Sequence, residues 1–300
     1  MKSEGGRTSS RRDRAVDEKT GTTSQRYVQR YRVRPSAADA EIHEADFPHY
    51  ILFDPNGPKA PGLVVFLPGT GGKPTQADIL LKSVVHLGYR AIGLSYSSLP
   101  AVVDLCRDSP DEGCYDNIRG DRAFGWGGTS SSDAIVGRLL SLLVHLHRRY
   151  PLEGWDFYCT KREVLWKNII LSGLSQGAGM AAYIAKHRRV KRVVLFSGPA
   201  DFVEKTKSVA KWTAGESATP NARWYAAVHR RENRYSDIMD AYRSLKIPSG
   251  HIALLDLTPP PRDGATRDRF HTTTTRLEGY LDVWKTMFGS QIRRDGVDLR

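Results

Sequence analysis

The sequence predicts an α/β domain with a mostly parallel central sheet and helices on both faces, and three observations carry that expectation. From about residue 40 onward, strand-like segments alternate with helix-like ones, the order that βαβ units require. The candidate strands are short continuous apolar runs such as "GLVVFLP" (Gly62–Pro68), as expected where a strand is buried on both faces. One of them passes directly into a helical run through the glycine-flanked turn "GLSQG" (Gly173–Gly177).

The elements follow in order. After Gly62–Pro68 and a Gly-rich turn, "TQADILLKSVVHLG" (75–88) has helical periodicity, and "YRAIGLSY" (89–96) is the next strand. "TSSSDAIVGRLLSLLVHLHRRYP" (129–151) is an amphipathic helix with a Ser/Asp cap region, stopped at Pro151. "NIILSGL" (168–174) is a strand, "GAGMAAYIAKH" (177–187) a helix and "VKRVVLFSG" (190–198) a strand. Beyond Gly198, "ARWYAAVH" (222–229) and "HIALLDL" (251–257) are two further strands with the helix "SDIMDAYRSL" (236–245) between them. A last helix, "TRLEGYLDVWKTMFG" (275–289), closes the pattern. No internal repeat occurs, and "HTTTT" (271–275) is the only low-complexity stretch. The chain therefore divides into a basic disordered tail (1–40), one domain (41–290) and a polar C-terminal tail (291–300).

Length and composition bound the function. Three hundred residues, 40% of them hydrophobic, suffice for one large core. The net charge of +12 is unevenly spread: residues 1–36 carry ten Lys/Arg against four Asp/Glu, half of the excess. A polar charged segment of this kind reads as solvated. No RRM, zinc-finger or helix-turn-helix pattern accompanies it, so no specific nucleic-acid partner is expected. No apolar run reaches the roughly 18 residues of a transmembrane helix. The N-terminus lacks the apolar stretch of a signal peptide, which points to the cytoplasm, or to export if a leader is missing. Cys106 and Cys114 lie eight apart in "LCRDSPDEGC", a spacing that can close a small disulfide ring in an oxidising compartment; Cys159 is then a buried thiol. Zinc is not expected, because no second Cys/His cluster has ligand spacing.

Gly173-Leu174-Ser175-Gln176-Gly177 has the form G-x-S-x-G, in which a serine on a tight strand-to-helix turn projects its hydroxyl above the sheet edge. Such a serine needs donors for a developing oxyanion. The backbone N–H of Gln176 is one candidate. The loop "FLPGTGGKP" (66–74) offers the Thr70 amide as the other, with Gly71 second. A phosphate loop is disfavoured there because G-x-x-x-x-G-K-[ST] is absent. The serine also needs a base, and in this architecture the chain order is Ser, then Asp/Glu, then His. His271, in a polar loop before the last helix, is favoured; His251, at the start of a strand, reads as structural, and His229 as a supporting or core residue. Glu232, just past a strand end, is the favoured acid, with Asp237, Asp240, Asp201 and Asp256 as alternatives.

Six separated motifs, "LVVFLPGTGG", "LCRDSPDEGC", "LEGW", "GLSQGAG", "RVVLFSGPADF" and "VHRRE", together resemble a mostly uncharacterised bacterial-type group of α/β hydrolases with a G-x-S-Q-G-A-G elbow, over residues 50–288. The resemblance implies the α/β-hydrolase fold, Ser175 as nucleophile and His271 as base. The acid, usually Asp in such proteins, is Glu232 here, and the paired cysteines suit exported members. The resulting expectation is a serine hydrolase acting on a small ester or acyl substrate through an acyl-enzyme, with no cofactor. The competing class is a non-catalytic ligand-binding protein of the same fold. The segments 114–132 and 201–224 are expected to line or roof the pocket with Phe124, Trp126, Trp212 and Trp224.

Overall fold

The computed structural model describes residues 28–58, 61–260 and 268–290. Residues 1–27 of the expected N-terminal tail (1–40) and the expected C-terminal tail, 291–300, lie outside the described residues. The sheet strands, in chain order, are β1 (Gln29–Val33), β2 (His49–Phe53), β3 (Leu63–Leu67), β4 (Arg90–Gly93), β5 (Ile169–Leu174) and β6 (Arg192–Phe196). A small separate hairpin, β7 (Phe202–Val203) and β8 (Ser208–Val209), precedes the last two sheet strands, β9 (Trp224–His229) and β10 (Ile252–Leu255). The eight sheet strands run in the order β1-β2-β4-β3-β5-β6-β9-β10. All pairings from β4 to β10 are parallel, and only β1-β2 and β2-β4 are antiparallel.

The central strands are apolar throughout because each side chain meets a helical layer whichever way it points. In β3, Leu63, Val65 and Leu67 enter one core and Val64 and Phe66 the other. β6 repeats this division, with Val193 and Leu195 against Val194 and Phe196. The period-2 geometry of a strand turns one uninterrupted apolar run into two cores. On one face lie α2 (Asp78–His86) and, from the far end of the chain, α8 (Leu281–Phe288), through Leu80, Leu81, Val84, Trp284 and Phe288. The other face carries α5 (Ile135–Arg149), α6 (Gln176–His187) and α7 (Tyr235–Ser244). No helix of the described residues is long and apolar enough to cross a membrane.

Several sequence expectations need correction. The tail does not extend to residue 40, because Gln29–Val33 forms the edge strand β1 and Pro35–Ala38 a short helix, α1. Tyr31 anchors this edge: it stacks on Tyr150 at 4.4 Å and its hydroxyl donates to Glu153 Oε1 at 2.6 Å. The expected Ser/Asp cap of α5 is not used as a cap, since its N-cap is Ala134 without a side-chain bond. Asp133 instead holds the buried Arg138 at 2.6 Å and accepts the backbone N–H of His43 and Glu44. "CYDNIRGDRAF", read as part of a pocket-lining segment, is a helix, α4 (Cys114–Phe124), following the short α3 (Val102–Cys106). Cys106 and Cys114 are joined by a disulfide between these two helices, and Cys159 is a buried thiol.

Because β1 is tied to the body by five paired residues and the Tyr31 contacts, deletion of residues 1–36 is expected to lower the melting temperature by about 5 °C or more, taking roughly 2–4 °C per kcal/mol for a chain of this size. Circular dichroism melting checks this, and an unchanged midpoint would show that the edge strand adds nothing.

Candidate active site

The turn between β5 and α6 consists of Ser175 alone. Its backbone lies at φ 58° and ψ −122°, a conformation that costs a non-glycine residue on the order of 1–3 kcal/mol. The surroundings enforce it. The Ser175 N–H donates to the Phe196 carbonyl at 2.9 Å, while its own carbonyl accepts Gly179 N–H at 3.1 Å as the helix begins. The flanking glycines are required by close approach rather than by flexibility. A Cβ on Gly173 would overlap the Gly177 carbonyl, and a Cβ on Gly177 would overlap the Leu67 carbonyl at the end of β3. The elbow therefore packs backbone on backbone, and Ser175 is left half-buried at the carboxyl end of the sheet.

Beside it lies the loop after β3. The Gly71 N–H is already committed to Ser98 Oγ at 3.1 Å, and Gly72 N–H to the Gly69 carbonyl. Among the described residues no acceptor takes the backbone N–H of Thr70 or of Gln176. Of the loop donors weighed from the sequence, Thr70 rather than Gly71 thus remains available. The buried Gln176 side chain braces this arrangement: its Oε1 accepts Val102 N–H at 2.8 Å and the Thr70 hydroxyl at 3.3 Å, and its Nε2 donates to the Ser98 carbonyl. Below the loop, the buried Tyr96 hydroxyl donates to the Pro68 carbonyl at 2.8 Å. Burial pushes this phenol up to about 12, so it stays a donor at neutral pH.

His271 and Glu232 meet on the other side of Ser175. His271 Nδ1 lies 2.7 Å from Glu232 Oε2, with the imidazole side chain 30% exposed and the carboxylate side chain fully buried. The second carboxylate oxygen, Oε1, accepts the His229 N–H at 2.8 Å and the Ser197 hydroxyl at 2.7 Å. With Nδ1 facing a carboxylate, the neutral ring keeps its proton there and presents Nε2 as the acceptor. Ser175 and His271 line the same two cavities, one of about 540 Å³ and one of about 320 Å³.

The other acid candidates are engaged elsewhere or face solvent. Asp201 is buried in a bidentate pair with Arg119, Asp237 pairs with Arg234, Asp240 pairs with Arg243, and Asp256 is exposed. His251 sits in a short turn before β10 rather than at the strand's start. Its Nδ1 lies 3.0 Å from the Trp224 carbonyl and its ring stacks on Tyr225. His229 is buried and stacks on Phe270, next to His271, so it shapes the loop that carries the imidazole.

Two residues were missed by sequence reasoning. Ser197, at φ 51°, bonds Glu232 and lies 3.1 Å from Thr274 Oγ1. Thr274, in the supposedly low-complexity run, is fully buried, and Trp284 Nε1 donates to its carbonyl at 2.9 Å. The one available signal was the position of Ser197 just past a strand end, beside the elbow strand. The expected aromatic lining is also absent from both cavities. Trp126 and Phe124 stack on each other against Tyr183 and His187, Trp212 bonds Asp201, and Trp224 is buried in β9. Tyr242 supports the Ser197 loop through Gly198 N–H and the Ala227 carbonyl, and burial drives its phenol far upward.

No known family model matches the chain, and no curated protein sequence matches it. Several solved structures are similar to it at low identity. TT1662 from Thermus thermophilus is 14% identical, covers 86% of this chain and 98% of its own, and superposes with a TM-score of 0.45. Esterase 2 of Thermogutta terrifontis, phosphoramylated by tabun, is 12% identical over 88% and 97%, with a TM-score of 0.46. A bacterial heroin esterase is 11% identical over 87% and 83%, with a TM-score of 0.47. At such identities the likeness concerns the fold alone. The fold itself is a mostly parallel eight-stranded sheet with helices on both faces, as the sequence predicts.

The packing at the elbow yields a direct expectation. Gly177→Ala places a methyl group against the Leu67 carbonyl, which the rigid backbone cannot vacate, and should destabilise the protein by at least about 2 kcal/mol in urea denaturation. A loss below about 0.5 kcal/mol would mean that the elbow is looser than its geometry.

Proposed function

We propose that this protein is a serine hydrolase that cleaves an ester or related acyl bond through an acyl-enzyme. The observation that carries the reading is His271, held at 2.7 Å by the buried Glu232, lining the same two cavities as a strained, glycine-flanked Ser175. The six motifs that resemble the G-x-S-Q-G-A-G group support the same reading.

In the proposed reaction, His271 Nε2 takes the Ser175 hydroxyl proton as Oγ attacks the substrate's carbonyl carbon. The carbonyl oxygen becomes an oxyanion and accepts the N–H groups of Thr70 and Gln176, which are preorganised and without another acceptor among the described residues. The imidazolium then protonates the leaving alcohol as the carbon–oxygen bond breaks, and the acyl group stays on Ser175. Water repeats the sequence: His271 takes its proton, hydroxide oxygen adds to the acyl carbon, and Ser175 Oγ leaves with the proton returned. Throughout, Glu232 holds the ring in one tautomer and stabilises its positive charge. The Ser197 and His229 donors on Oε1 keep the carboxylate aimed at the ring.

Ser175→Ala and His271→Ala are each expected to lower the rate on p-nitrophenyl acetate by about 10⁴-fold or more, and the double variant by no further amount, because the two act as a unit. His251→Ala should change stability rather than turnover. Steady-state kinetics alongside thermal melts separate these effects. A Ser175→Ala protein that retains a tenth of the wild-type rate would sink the assignment, and no turnover by the wild type on any ester would favour a binding protein of the same fold.

A further inference from the structure

The smaller of the two cavities carries more charge than an ordinary ester requires. Three arginines line it together with Ser175 and His271. Arg119 is buried and neutralised by Asp201, with both bonds at 2.5 Å. Arg234 is held by Asp237 at 2.9 Å and by the Ala200 carbonyl at 2.7 Å. Arg107 differs: it sits exposed at the rim, and among the described residues its guanidinium makes no ion pair and no hydrogen bond. The one other carboxylate of the lining, Asp268, is occupied by the backbone N–H groups of Asn233 and Phe270. Between charged groups the wall is apolar, made by Val102, Val103 and Ile238.

The backbone of Arg107 is fixed, while its guanidinium acts on the Glu204 carboxylate through space without a direct bond. The Arg107 backbone N–H donates to the Val103 carbonyl at 3.0 Å and its carbonyl accepts Glu204 N–H at 3.3 Å. The preceding residue, Cys106, is cross-linked to Cys114, and α3 is tied at Val102 to the side chain of Gln176, next to the nucleophile.

Resting on the hydrolase reading, we propose that the smaller cavity selects substrates in which the ester is separated by a short aliphatic spacer from a carboxylate, and that Arg107 recognises that carboxylate. The planar guanidinium offers two parallel N–H donors to a carboxylate, and the apolar wall between it and Ser175 suits an aliphatic spacer. Arg107 is a specificity residue here, with no part in bond cleavage.

The test compares kcat/KM for mono-p-nitrophenyl glutarate with that for p-nitrophenyl valerate, a neutral ester of the same chain length. The wild type should favour the anionic ester by about tenfold at low salt. Arg107→Gln should bring the ratio to about one, and Arg107→Lys should restore part of it. A wild-type ratio at or below one, or a ratio that Arg107→Gln leaves unchanged, overturns the proposal. Calorimetric binding of mono-p-nitrophenyl glutarate to Ser175→Ala, with and without Arg107→Gln, separates this claim from the reaction itself. An affinity that falls about tenfold with Arg107→Gln supports the anion site even if the wild type hydrolyses nothing, in which case only the hydrolase reading fails. Equal affinity in the two proteins, or no binding to either, overturns it.

Discussion

The buried carboxylate of Glu232 is the interaction on which the rest of the site depends. A fully buried charge is tolerated only when its lone pairs are satisfied, and here three donors from three separate segments do so: His271, the His229 amide and the Ser197 hydroxyl. Each donor fixes a different piece of the fold. His229 ends β9, Ser197 follows β6, and His271 belongs to the turn that leads to α8. The carboxylate thus orients the imidazole and also gathers the strand ends around the elbow. Removing it would take the acceptor from the buried His229 amide as well as from the imidazole, so its structural and its proposed catalytic roles cannot be separated by deletion alone.

The second constraint is steric. Ser175 occupies a backbone conformation that only its neighbours make affordable, and those neighbours are peptide groups of β3, β6 and α6 at distances that exclude side chains. The same close approach brings the β3 loop, with its Thr70 amide, next to the first amide of α6. Buried Gln176 then bridges the two loops with three hydrogen bonds. Strain, donor placement and loop anchoring are therefore consequences of one packing decision, the contact of the elbow with the end of β3.

Much of this was legible in the sequence, for identifiable reasons. Strands β3, β5 and β6 are buried on both faces, so their runs are uninterrupted and easily read. The elbow was legible because the required glycines leave a fixed spacing. β1 was not, since "QRYRV" alternates charge with tyrosine inside a basic segment and resembles its surroundings. α4 was hidden because it buries an arginine, Arg119, whose partner Asp201 lies 82 residues away. The acid was ambiguous among five carboxylates because which one reaches His271 depends on how β6 and β9 align, a register that no local pattern encodes. Ser197 and Thr274 escaped for the same reason, and the threonine run looked simple only because its burial depends on Trp284 and the sheet beneath it.

The central claim is that Ser175 is a nucleophile activated by His271. The most direct measurement is the site and rate of modification by a fluorophosphonate, read by peptide mass spectrometry of wild-type and His271→Ala protein. The account predicts a single adduct on the peptide containing Ser175, formed rapidly in the wild type and at least about a hundredfold more slowly without the imidazole. An adduct on another residue, none at all, or equal rates in the two proteins would contradict it.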